Sequence, residues 1–317
     1  MIDGITYRHF PEAFHRILLP ARFLAKFAHT TDLLIDNSDV GMPWLSPLYS
    51  RAPRITVIHQ LVREIFFDEF PSPVSDLGFA LEPLVYRLYS RSRIVAVSKS
   101  TAHDLRHCGI LEKNIEVIEP GCSIPGFPPM ALSERWPETI GCVSRLVKYK
   151  GLQLAFKALR RITDGRPDVR LLVAGSGPYQ QQLSRTAEKL GLSKNVSFLG
   201  SLSDQDKFKL YGKSRVAIYP SYREGFGMSI IEANSVGTPV VGWNVPGSRD
   251  SIVDEATGLL APFPDDEAFA DHVNRLLSDD KKWFNLSNRA CEWAQEHSWE
   301  KSAKQFEGTI ETALAES

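Results

Sequence analysis

Short runs of β-branched and apolar residues alternate along the chain with stretches whose apolar positions recur at helical spacing. This is the pattern of parallel strands joined by crossover helices, an α/β fold. In the first part, strands are expected at "ITYRH", "DLLID", "ITVIH", "RIVAVS" and "IEVIEP". The proline-rich stretch "SIPGFPPMALSERWP", Ser123 to Pro137, breaks the alternation and reads as an interdomain linker. The alternation then restarts with a strand at "TIGCVS", a helix from Leu152, a strand at "RLLVAG", a helix from Tyr179, "VSFLG", a helix from Asp204, "RVAIYPS", a helix over "MSIIEANSVG" ended by Gly237, and "PVVGW". Helices follow at "DDEAFADHVNRLLSD" and "KKWFNLSNRACEWAQEH", and a last one at "SWEKSAKQFEGTIETALA" opens on Ser298 as its N-cap, with Glu300 close behind. Three regions result: 1–130, 138–297 and a final helix over 298–317.

Composition narrows the class. At 317 residues the chain is long enough for two cores, and 43% hydrophobic with 24% charged residues is ordinary for a soluble globular protein. A net charge of -1 gives no bulk attraction to nucleic acid. The four cysteines, Cys108, Cys122, Cys142 and Cys291, have no C-x-x-C spacing, which fits a reducing cytoplasm better than a zinc site or a disulfide framework. No apolar run is long enough to span a bilayer, and "MIDGITYRHF" lacks the regions of a signal peptide, so the sequons at Asn195 and Asn285 read as chance matches.

Candidate chemistry gathers where strands end. In open parallel sheets the carboxyl ends of the strands line the ligand crevice, and here they carry small or polar residues: Ser144, Gly175, Ser176, Gly177, Gly200, Ser201 and Ser221. In "PSYREGFGMSIIEANSVGTPVV", Glu224 falls in a turn, Gly225 and Gly227 let backbone amides approach a ligand, and the helix opening at Met228 and Ser229 turns its positive end to the same spot. That geometry favours a phosphate or diphosphate. Glu232, about one turn into the helix, can accept two hydrogen bonds from a vicinal diol such as a ribose, and Glu224 can meet a sugar's hydroxyls. Taken alone, a first-turn acid complementing the helix dipole and a solvated loop glutamate account equally for the pattern. In "CVSRLVKYKGLQLAF", Arg145 and Lys150 sit between a strand and a helix, a fork and a point charge suited to a diphosphate, whereas Lys148 reads as solvated. His103 and His107 are spaced i, i+4, but two ligands without a third favour a solvated helix face.

The segments "RLVKYKG", "VAGSGP", "FLGSLSD", "YPSYREGFGMSIIEANSVGTPVVG" and "TGLLAPFPDDEAFADHVNRLL", in this order, resemble the C-terminal half of glycosyltransferase family 4. In the first half, "VIHQLVREIFF" and "IVAVSKSTAHDL" followed by "VIEPG" look like the same family. The resemblance implies a GT-B fold, two Rossmann-like domains facing a cleft, with the last helix crossing back to the first domain. It implies a retaining transferase that moves a sugar from a nucleotide diphosphate sugar to an acceptor hydroxyl, glycan, lipid-linked or small-molecule, with no metal or other cofactor. By the family pattern Glu224 contacts the donor sugar, Glu232 the ribose, Arg145 and Lys150 the diphosphate, and the backbone of Gly225, Phe226 and Gly227 the sugar and phosphate. His59, closing "ITVIH", matches a position that faces the donor sugar from the first domain, which implies a catalytic role in orientation and electrostatics; the alternative is a strand-end histidine that is simply hydrogen-bonded.

The chain departs from the family at its start. It has no Gly-Gly pair, and "MIDGITYRHF" resembles a segment well inside the family's first domain, so the usual first strand and helix are expected to be missing. That motivates a second reading, a catalytically silent nucleotide-sugar-binding or partner protein. "FHRILLPARFLAKFAH", Phe14 to His29, mixes cations with large apolar residues and suits either a core helix with snorkelling cations or peripheral contact with the inner membrane face. "REIFFDEFPSPVSDLGF", Arg63 to Phe79, reads as an aromatic loop on the acceptor side.

Overall fold

The computed structural model describes residues 31–38, 45–123 and 128–316. The expected strand at "ITYRH" and the segment Phe14 to His29 lie outside the described residues. The chain divides into two compact units, one running to Ile118 and resuming at Lys304, the other Glu119–Ala303. Among the described residues, no helix is long and apolar enough to cross a membrane.

The first unit holds a parallel sheet of β1 (Leu34–Ser38), β2 (Arg54–Ile58), β3 (Arg93–Ala96) and β4 (Ile115–Val117), side by side in chain order. Alternation along the strands sets its two faces. Ile58, Ile94 and Ala96 pack with Tyr86, Tyr89 and Leu105 of the connecting segments, while Ile55 and Val95 on the opposite face meet Ala313, Phe306 and Ile310 of the last helix, Trp299–Ala315. Thr309 of that helix donates to the Glu116 carboxylate at 2.9 Å.

The stretch from Arg63 to Phe79 is not the loop that its prolines and aromatics suggest. Short helical turns over Arg63–Ile65 and Phe66–Glu69 lead into helix α1 (Val74–Arg87). Glu82, fully buried on α1, accepts the amides of Val62 at 2.6 Å and Arg63 at 2.9 Å. Gly78 leaves room for the Phe66 ring, which a Cβ there would meet at 2.6 Å. Helix α2 (Lys99–His107) is capped by Ser98, whose hydroxyl accepts the Thr101 amide at 3.0 Å.

The second unit repeats the βα pattern: β5 (Trp136–Val143), α3 (Leu152–Gly165), β6 (Arg170–Ala174), α4 (Gln180–Lys189), β7 (Val196–Gly200), α5 (Asp204–Lys213), β8 (Ser214–Tyr219), α6 (Met228–Ser235), β9 (Val240–Trp243), β10 (Gly258–Ala261), α7 (Asp266–Ser278) and α8 (Asp280–Gln295). The parallel sheet runs β10-β9-β8-β5-β6-β7, so its order reverses between β5 and β8. Ile140, Val173 and Val216 of the sheet pack on Phe156, Leu159 and Leu276 of the covering helices. The strand over β10 had no counterpart in the sequence reading; at four residues it is too short to show a period.

Strand β5 starts at Trp136, inside the stretch expected to be linker, and the residue before it shows why. Arg135, 4% exposed, donates to Val236 O at 2.7 Å, Ser214 O at 3.0 Å and Gly237 O at 3.2 Å, and to the Thr238 hydroxyl at 2.7 Å. It caps the carboxyl ends of α5 and α6 at once, with its guanidinium 4.8 Å from the Trp283 ring. Burial pulls its pKa down to about 10. Arg135→Met should therefore cost about 3 kcal/mol of stability in urea unfolding, since carbonyls at two helix ends lose their donor, and Arg135→Lys should recover part of it. An unchanged unfolding midpoint would show that the cap is dispensable.

Candidate active site

Adjacent strands whose connections leave in opposite directions open a crevice at their carboxyl ends. The order reversal places the loop after β5, which carries Arg145 and Lys150, against the loop after β8, which carries Glu224. Gly151 makes the approach possible: its φ is 71°, and a Cβ there would lie 2.0 Å from the Pro220 carbonyl oxygen. The Tyr222 amide donates to Tyr149 O at 3.2 Å. So joined, the loops bring the Lys150 ammonium and the Glu224 carboxylate into an ion pair, with side chains only 12% and 9% exposed. Either charge alone would be costly at that depth. The pair is backed by the loop after β9, where a Cβ on Gly247 (φ 82°) would sit 2.5 Å from Glu224 Cβ. Arg145 is exposed and donates to the Tyr149 hydroxyl at 2.6 Å.

Beside the pair, a cavity of about 370 Å³ is lined by Arg145, Gly175, Ser176, Lys207, Ser229 and Glu232 among others. Its strand-end wall is tied together by the Leu146 amide donating to Ser176 O at 2.9 Å and by the Ser176 and Ser201 hydroxyls at 3.1 Å. Gly175 fits only without a side chain, since a Cβ would stand 1.9 Å from Ser144 O. Glu232, one turn into α6, pairs with Lys207 of α5 at 2.7 Å. Burial pushes the Glu232 carboxyl above its ordinary range, and the Lys207 ammonium offsets part of that. Burial also pulls Lys207 down, but Glu232 and Asp204 outweigh it and leave its ammonium raised.

Arg145, Gly175, Ser176, Ser229 and Glu232 thus share one cavity, whereas Lys150 and Glu224 pair with each other next to it. Lys207 was missed by sequence reasoning; its signal, a lysine one turn into a helix capped by Ser203, is common to many solvated helices. The glycine turn differs from expectation. The Gly227 amide, expected to face a phosphate, already donates to the Ser251 hydroxyl at 2.8 Å, and Met228 N–H donates to Phe226 O at 3.1 Å. Gly225 and Phe226 are buried, the Phe226 ring lying 5.6 Å from that of His297. A ligand would reach the Gly227 and Met228 amides only by exchanging these internal bonds.

His59 belongs to the other unit. It follows β2 at the carboxyl edge of the first sheet, its Nε2 2.9 Å from Asn37 Oδ1 and its carbonyl accepting the Thr101 hydroxyl at 3.3 Å. His103 and His107 lie exposed on α2, with His107 Nδ1 2.9 Å from the His103 carbonyl oxygen.

A family model described as glycosyl transferases group 1 matches residues 132–293, and one described as glycosyltransferase family 4 matches residues 4–124. The chain belongs to the group 1 glycosyl transferases. Among curated relatives of this family, a D-inositol 3-phosphate glycosyltransferase of Corynebacterium urealyticum is 33% identical over 213 residues, covering 61% of this chain and 50% of its own. The corresponding protein of Corynebacterium glutamicum (strain R) is 28% identical over 293 residues, 86% of this chain and 69% of its own. The chain spans about half the length of the first of these relatives. Among solved structures, sucrose-phosphate synthase from Thermosynechococcus elongatus superposes with a TM-score of 0.79 at 22% identity, over 98% of this chain and 81% of that one. Anabaena HepE in complex with UDP and glucose gives 0.72 at 20% identity, over 92% and 81%. These likenesses establish a GT-B-like α/β fold.

The Lys207–Glu232 pair gives a pH signature. A carboxyl raised by burial contributes stability that is present below its unfolded pKa and lost as pH rises through the folded one. Lys207→Met should raise the Glu232 pKa further and move that loss to higher pH, followed by NMR titration of the carboxyl. A Glu232 pKa that stays put or falls would show that Lys207 does not act on it.

Proposed function

We propose that the second unit binds a nucleotide diphosphate sugar and that the protein transfers its glycosyl unit, with retention, to an acceptor hydroxyl of a glycan, a lipid-linked carrier or a small molecule. The observation that supports this most directly is the cavity at the order reversal, with Glu232 on its helical side and Arg145 at its strand-end side. In this reading the Glu232 carboxylate accepts both ribose hydroxyls, and the diphosphate lies toward Arg145 and Lys150. Because Lys150 is paired with Glu224, the carboxylate that meets the sugar also positions an ammonium that meets the diphosphate.

Charge develops on the diphosphate oxygens as the bond to the sugar breaks, and Arg145 and Lys150 stabilise it there. An oxygen of the departing diphosphate takes the acceptor's proton on the same face of the sugar, which retains configuration. The two cations supply the positive charge, so this reading requires no metal ion. Four free cysteines, three of them buried, suit a reducing compartment, and we place the reaction in the cytoplasm.

Glu232→Ala should weaken binding of a nucleoside diphosphate about tenfold or more by calorimetry, and have little effect on the 2′,3′-dideoxy counterpart, which lacks the hydroxyls. Equal losses for both nucleotides would sink the ribose assignment. With a matched donor and acceptor, Lys150→Ala should slow release of nucleoside diphosphate about 100-fold. Donor binding without release in every donor and acceptor combination would instead favour a silent binding protein.

A further inference from the structure

Helix α1 carries an apolar stripe that is exposed among the described residues. Val74, Leu77, Leu81, Leu84 and Leu88 follow one another at spacings of three and four residues, and each is 40% exposed or more. That is the seam spacing by which one helix packs along another. Phe67 and Phe70, in and just beyond the preceding turn, are each 48% exposed and enlarge the apolar surface. The opposite face of the same helix holds the buried Ser75, Glu82 and Tyr86, so the stripe is the outward side of a well-anchored element.

We propose that this face is a self-association surface on which a second copy of the chain docks with the two α1 helices antiparallel. Charge polarity along the helix supports that occupant. Exposed acids, Glu69 and Asp76, lie toward its amino end, and exposed arginines, Arg87 and Arg91, toward its carboxyl end. A two-fold axis at Leu81 aligns Val74 with the partner's Leu88, sets Leu77 within one residue of the partner's Leu84, and sets Asp76 within one residue of the partner's Arg87. A parallel arrangement sets like charges together, and an anionic bilayer repels the acidic end. The exposed apolar area is roughly 600 Å², at the upper end of what a monomer leaves uncovered. It approaches the ~800 Å² per partner of a standard interface. Ala80, exposed beside the seam, is small enough to allow close approach of the helices.

Light scattering with size-exclusion chromatography of the full chain at micromolar concentration tests the proposal. The expected result is a dimer that Leu81→Asp weakens about 100-fold without change in far-ultraviolet circular dichroism, because Leu81 is a surface residue in the monomer. Asp76→Arg should also weaken the dimer, and adding Arg87→Asp should restore it, an exchange that only the antiparallel register explains. Leu81→Cys should give a disulfide-linked dimer on mild oxidation, and Leu111→Cys, more exposed but elsewhere on the unit, should not. A monomeric parent overturns the proposal. If that monomer sediments with anionic vesicles and Leu81→Asp abolishes this, the occupant is lipid. If Leu81→Cys in a monomer resists a thiol reagent, the chain's own residues cover the stripe. A dimer insensitive to Leu81→Asp also overturns it.

Discussion

A carboxylate taken out of water must find a counter-charge, and the candidate site is built around that demand. Glu224 and Glu232 lie on either side of one glycine turn, and each is matched by a lysine from a different βα connection, Lys150 after β5 and Lys207 after β7. The two pairs hold four segments in register around the crevice. Both carboxylates are therefore fixed in place before any ligand arrives, which lowers the ordering cost of binding.

The sheet order makes those pairings available. Because the order reverses between β5 and β8, the loops after these strands stand side by side without a helix between them. Backbone contact does the rest. Gly151 against the Pro220 carbonyl, Gly175 against the Ser144 carbonyl and Gly247 against Glu224 are approaches that any side chain would block. Gly227, expected to bring its amide to a phosphate, likewise acts on the protein itself, with that amide bound to Ser251.

Arg135 plays a related part on the far side of the second unit. Its guanidinium holds the carboxyl ends of α5 and α6, the helices that carry Lys207 and Glu232. The helix ends are anchored at one end of the unit, and the paired side chains face the crevice near the other. The first unit has its own buried anchor in Glu82, which fixes the chain entering α1, while the opposite face of that helix is exposed among the described residues.

The α/β class, the sites of β1 to β9 and the Glu224–Glu232 motif were legible because each rests on short-range pattern: alternation, apolar period, glycine beside acid. α1 was misread because prolines and aromatics obscured its period, and β10 was too short to have one. Lys207 and Gly247 gave no local signal, since a lysine on a helix and a glycine in a loop are ordinary until a neighbour is known. The sequence by itself determined which residues could carry charge to a strand end. Which charges meet was left to the tertiary structure, because sheet order brings together segments far apart in the chain and only there does burial force a carboxylate to choose its partner.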